Sequence, residues 1–123
     1  MATNRTEKFA DALHALEDGG DLETFVALFA DDVELHRPET RQELDGSAGA
    51  RAFWEQYLGT FDEIRSDFSR VVDGGVGVLE WTGTGRLRSG APVTYAGVSI
   101  LDFDDAGLVT RFATYFDTQA FEV

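Results

Sequence analysis

Arg37 ends the run Val33-Glu34-Leu35-His36-Arg37-Pro38, where side chains alternate in a way that suits a strand. In a strand, Val33, Leu35 and Arg37 share one side, while Glu34 and His36 share the other. If the apolar pair faces inward, so does the guanidinium. It would be a permanent cation suited to a carboxylate, an enolate or a carbonyl oxygen. Alternatively, Arg37 sits at the strand end, turned to solvent or paired with Glu39. Glu80 is the unusual carboxylate, in Val76-Gly77-Val78-Leu79-Glu80-Trp81 on the same side as Val76, Val78 and Thr82. Half buried among valines, it would carry the raised pKa that a general acid or base near neutral pH needs. On a partly wet sheet face it is an exposed or interface glutamate instead. Arg37 and Glu80 are thus the candidate catalytic pair.

Other chemistries have little to work with. The chain has two histidines, His14 and His36, and no cysteine, so thiol nucleophiles, disulfides and thiolate zinc are out and a transition-metal site is not expected. Gly83-Thr84-Gly85 falls inside a strand with no helix after it to receive a phosphate, so no dinucleotide cofactor is expected. Asp117 ends an aromatic strand whose parity sets Tyr115 and Asp117 opposite Phe112, Thr114 and Phe116. It is expected to cap the C-terminal turn. His36 lies opposite Arg37 and is expected to be structural.

The elements that hold these residues follow from periodicity. Phe9, Leu13 and Leu16 mark an amphipathic helix from about Thr6 to Leu16, ended by Gly19-Gly20. Asp21 is placed to cap a second helix carrying Leu22, Phe25, Val26 and Phe29 on one face. A strand from Val33 to Arg37, a polar loop from Glu39 to Gly46 and a third helix from about Ser47 to Leu58 come next. From about Ile64 onward the pattern is strand. Turns are expected at Asp73-Gly74-Gly75, at Arg88 to Pro92 and at Asp104 to Gly107. Three helices followed by a long antiparallel meander make an α+β protein. Such a sheet must curl, and helices across its concave side give a cone-shaped α+β barrel with a hollow between.

At 123 residues and 43% hydrophobic, one domain spanning 1–123 is expected. The formal charge of −13, with Lys8 the lone lysine, opposes binding to nucleic acid or anionic membrane. A high-salt interior and an arginine-favouring, GC-rich genome both account for that acidity. No apolar run is long enough to span a membrane, and a cytoplasmic location is expected.

The segment Gly20 to Pro38, Gly46 before the third helix, the turn Phe103 to Val109 and the closing Arg111 to Phe121 occur in the order of a known family. Together they resemble the nuclear transport factor 2-like superfamily, in its SnoaL-like, ketosteroid isomerase and limonene epoxide hydrolase branches. The resemblance implies the conical fold, a pocket and a homodimer formed through the outer sheet face. It does not bring a catalytic set. The isomerase branch's base, tyrosine and protonated aspartate fall at Arg37, Leu13 and Ser99, which do not match. The epoxide hydrolase set falls at Thr114 and near Trp81-Thr82-Gly83, again without its carboxylates. Nor does the histidine and late-strand carboxylate of the aldol cyclases have a counterpart.

The expected pocket is lined by Leu13, Phe29, Leu35, Trp54, Tyr57, Tyr95, Ser99, Phe112, Thr114 and Phe116. It suits a small hydrophobic ligand oriented by sparse polar contacts. Two functions stand: an isomerase, cyclase or hydrolase acting on a small hydrophobic carbonyl compound, or a non-catalytic dimeric ligand-binding or accessory module.

Overall fold

A computed structural model describes residues 4–38 and 41–117. In chain order the elements are α1 (Arg5–Glu17), α2 (Leu22–Val26), β1 (Phe29–Arg37), β2 (Gln42–Asp45), α3 (Gly46–Thr60), β3 (Phe61–Asp73), β4 (Gly77–Leu87), β5 (Pro92–Phe103) and β6 (Val109–Phe116).

The helices begin where the capping residues stand. Asn4 accepts from the Glu7 amide at 2.8 Å and starts α1. Asp21 accepts from the Thr24 amide at 3.1 Å and starts α2. The apolar stripe of α1 buries Phe9, Ala10, Leu13 and Leu16 as its spacing requires. Its first turn is pinned to the far hairpin, where Thr6 Oγ1 and Arg5 Nε both donate to Asp73. These bonds, Thr6 first, hold the Asp73 carboxyl below its ordinary pKa.

The strands form one six-stranded sheet in the order β2-β1-β6-β5-β4-β3, antiparallel except where β1 runs beside β6. Register shifts interrupt β1 against β6, β3 against β4 and β5 against β6, and such bulges add bend to a sheet that already twists. The helices lie against one face. Rings from both layers meet there: Phe9 stands 5.3 Å from Phe25 and 5.7 Å from Phe112, and Phe25 meets Trp54 at 4.8 Å. Along β5, Val93, Tyr95, Ser99 and Leu101 are buried on the inner face, while Thr94 and Ala96 are exposed on the outer one.

Two expectations about the elements are corrected. Phe29 is not on the second helix: α2 stops at Val26, and Phe29 opens β1, so Asp31 and Asp32 are exposed strand residues. The stretch taken for a polar loop contains β2, where Gln42 to Asp45 pair with Glu34 to Arg37. Four alternating residues are too short a signal to stand out, and the pairing partner supplies the order. No helix among the described residues is long and apolar enough to cross a membrane.

Candidate functional site

Between the helices and the concave face lies a cavity of about 260 Å³. Leu13 from α1, Trp54 and Tyr57 from α3, Tyr95 and Ser99 from β5, and Phe112, Thr114 and Phe116 from β6 all line it, as their parity requires. Two residues expected there do not. Phe29 and Leu35 are 4% and 0% exposed and belong to the packed core beneath the cavity. Phe29 packs on Phe9, Phe25 and Trp54, and Leu35 is fully buried on β1, two residues before Arg37.

Arg37, two residues further along β1, does line the cavity. Its Nη1 donates to Gln42 Oε1 at 2.6 Å, and its guanidinium lies 4.0 Å from the centre of the Phe53 ring. Desolvation lowers its pKa, while Tyr95 and Tyr57 act electrostatically in the other direction. A guanidinium nonetheless remains charged at any working pH. The cavity therefore carries a partly desolvated cation. Arg37 is half-buried and lines the cavity, and the alternative pairing with Glu39 lies outside the described residues.

Glu80 does not join it. Its side chain is exposed, accepts from Ser69 Oγ at 2.7 Å and lies 4.0 Å from Arg70. Residues 79 and 81, not 78 and 80, form the inner row of β4, with Leu79 and Trp81 lining the cavity. The apparent valine stripe is the outer face, so the Arg37–Glu80 pair is not assembled. His36 is engaged on the outer side by Glu34 at 3.2 Å and Glu43 at 3.6 Å. Asp117 follows β6, its amide donating to the Ala96 carbonyl at 3.5 Å; the turn it was expected to cap lies outside the described residues.

The polar lining is sparse and ordered. Trp81 Nε1 donates to Ser99 Oγ at 3.0 Å, and Ser99 Oγ lies 3.0 Å from Thr114 Oγ1. Whichever hydroxyl donates to the other, one hydroxyl hydrogen is left for a ligand. Trp81 reaches this position by lying over Gly97, its partner across the ladder; a Cβ there would come within 2.6 Å of the indole. The Trp54 indole N–H is buried and has no acceptor among the described residues. Burial raises the pKa of Tyr95, so its phenol is neutral.

The group missed by reading the sequence is Glu17. It accepts from Tyr57 Oη at 2.6 Å, from the Ser66 amide at 2.8 Å and from Ser66 Oγ at 2.6 Å. His14 Nε2, one turn earlier, donates to the Ser66 carbonyl at 2.6 Å. Tyr57 and Ser66 line the cavity, whereas Glu17 lines a groove on the other side of the wall with Asp18, Glu63 and Arg65. Burial, then the neighbouring Glu17 charge, drives the Tyr57 phenol far above its ordinary pKa. The signal was present, since Glu17 stands four residues after Leu13 and extends the buried stripe.

No Asp or Glu lines the cavity among the described residues. The positions carried over from the isomerase branch (Leu13, Arg37, Ser99) all face it, as do Thr114 and Trp81 from the hydrolase branch. The positions are kept and the carboxylates are not.

The comparisons agree with this architecture. An NTF2-like protein of unknown function from Burkholderia pseudomallei K96243 superposes with a TM-score of 0.82 at 20% identity, over 97% of this chain and 95% of that one. A protein of ketosteroid isomerase-like fold from Catenulispora acidiphila DSM 44928, solved in complex with trimethylamine, gives 0.81 at 14% identity, over 94% and 89%. SalBIII, an epoxide hydrolase/cyclase-like enzyme with a role in pyran ring formation in the polyether salinomycin, gives 0.78 at 12% identity, over 94% and 92%. No curated protein matches the chain in sequence. The SnoaL-like domain matches residues 7–112. With this conical fold and most of its length matched, the chain belongs to the SnoaL-like domain family.

Proposed function

We propose that the protein binds a small hydrophobic carbonyl compound in its cavity and acts on it as an isomerase, cyclase or hydrolase. The observation that carries this reading is Arg37, a cation in a cavity whose other described lining residues are uncharged and mostly aromatic or aliphatic. In low-dielectric surroundings such a charge favours a carbonyl oxygen, and favours it more as negative charge develops there. The cavity of about 260 Å³ falls just below the usual ligand-pocket range of about 300–1,000 Å³, which points to a mono- or bicyclic molecule. The absence of a lining carboxylate among the described residues favours a second reading, a non-catalytic binding module.

The test is ligand-induced thermal stabilisation across cyclic ketones, terpenes and aromatic acids, with Arg37→Ala as control. Ketones should stabilise the wild type, and the variant should bind them about 10- to 100-fold more weakly, the loss of one charged hydrogen bond. Equal stabilisation of both proteins would defeat the assignment of Arg37.

We also propose a homodimer formed through the outer sheet face, where Tyr115 is 38% exposed beside the partly covered Val98 and Ile100. Sedimentation of wild type and Tyr115→Asp tests it: a dimer for the first and a monomer for the second. The protein's acidity argues against nucleic-acid and membrane partners.

A further inference from the structure

Among the described residues no carboxylate lies on the cavity surface, but Glu17 is bonded to one of its lining residues. Tyr57 faces the cavity, its hydroxyl hydrogen is committed to Glu17, and Glu17 faces an outer groove that reaches solvent. Its proton given away, Tyr57 Oη keeps lone pairs with which it can accept a proton. Arg37 and Tyr57 are near enough to influence each other electrostatically.

We propose that Tyr57 and Glu17 form a proton relay through the cavity wall, with Tyr57 as the catalytic residue that takes a proton from the bound carbonyl compound. The proposal rests on the carbonyl-binding function above. In the step, the C–H bond next to the carbonyl breaks and its electron pair forms the enolate, whose charge settles on oxygen beside Arg37. The proton bonds to Tyr57 Oη as the phenolic proton passes to Glu17 Oε2, which becomes a carboxylic acid. Reversal returns a proton to the same or a neighbouring carbon, so isomerisation needs no co-reactant. The tyrosine is neutral before and after. That agrees with the upward shift of its pKa, which forbids a standing tyrosinate. Glu17 exchanges its proton with water at the groove.

The geometry distinguishes this arrangement from a plain structural tie. A carboxylate that served only to anchor α1 on β3 would be satisfied by Ser66, whose amide and hydroxyl both donate to it. The third bond reaches across to α3 and ends on Tyr57, a residue that lines the cavity. The charged and titratable groups around Glu17 are His14 and Asp18 on α1, Glu63 and Arg65 on β3, Tyr57 on α3 and Tyr95 on β5.

The experiment uses 2-tetralone, a bicyclic ketone with acidic protons beside its carbonyl, in D₂O. Saturation-transfer NMR reads binding, and the loss of the α-proton signal reads hydrogen–deuterium exchange. Wild type should bind the ketone and exchange its α-protons well above the solvent rate. Glu17→Gln and Tyr57→Phe, each checked for a native melt, should still bind it but exchange about 100-fold more slowly. Binding without exchange, or an unchanged rate in Glu17→Gln, would overturn the relay and leave the binding function standing. Failure of wild type to bind the ketone would overturn the carbonyl-pocket function and the relay together.

Discussion

The two charged corners of the site are built in opposite ways. Arg37 places its charge on the cavity lining, against a Phe53 ring and the neutral Gln42 amide. Glu17 places its charge behind the lining, held by three hydrogen bonds and bordered by a groove to solvent. The first corner leaves a charge partly desolvated, which costs stability and strengthens its pull on a ligand. The second satisfies its charge fully and reaches the ligand only through a phenol. A site that separates its cation and anion across a hydrophobic hollow keeps them from neutralising each other.

The largest expected effect comes from breaking the satisfied corner. Glu17→Leu removes the acceptor of three donors and strands them in the wall. It should lower unfolding free energy by about 2–4 kcal/mol, read by chemical denaturation. An effect below about 1 kcal/mol would mean that Ser66 and Tyr57 find water instead.

Next comes alkaline pH. Tyr57 and Tyr95 have folded pKa values raised above the unfolded value, so their contribution is complete below about pH 10 and is lost as pH rises beyond it. Stability should fall by about 1.4 kcal/mol per pH unit for each tyrosine still protonated in the fold. Melting temperatures between pH 9 and about 11.5 check this, and Tyr57→Phe should halve the slope.

How much of this could be read from the chain depends on whether a residue's partners are near or far in sequence. Strand parity put Phe112, Thr114 and Phe116 on the cavity and left Tyr115 outside, because alternation is a local property of the backbone. It set Arg37 on the side of Val33 and Leu35, one of two alternatives, and Arg37 lines the cavity on that side. Parity grouped Glu80 with Val76, Val78 and Thr82 but left two alternatives open, since β4 has apolar residues on both rows and only the helix layer decides which row is inner; the exposed alternative is the one seen. Leu35 has the right parity but too little depth information: a pattern gives the side of a strand and not its distance from an opening. The place of Glu17 on the stripe of α1 was legible, but its role was not. Its meaning lies in Tyr57, 40 positions away, and in Ser66, 49 away, and no local pattern reports such a meeting.

Arg37→Met sharpens the contrast because stability and binding should part company. Replacing a partly desolvated guanidinium by an apolar chain of similar length should change stability by no more than about 1 kcal/mol. Ketone binding should weaken by about 10- to 100-fold in the same protein. Titration calorimetry paired with denaturation reads both. A large loss of stability would make Arg37 a structural residue and return the cavity to the binding-module reading.

Glu80→Gln carries the smallest effect and is the cleanest control for the inner and outer faces. Its carboxylate is exposed and its neighbour Arg70 is 4.0 Å away, so screening leaves little to lose. Stability should stay within about 0.5 kcal/mol, and ketone binding and exchange should not move. If exchange fell instead, the outer row of β4 would communicate with the cavity through the sheet. The division of labour between the faces would then have to be redrawn, because Ser69 and Arg70, not Tyr57, would be the neighbours of the group that matters.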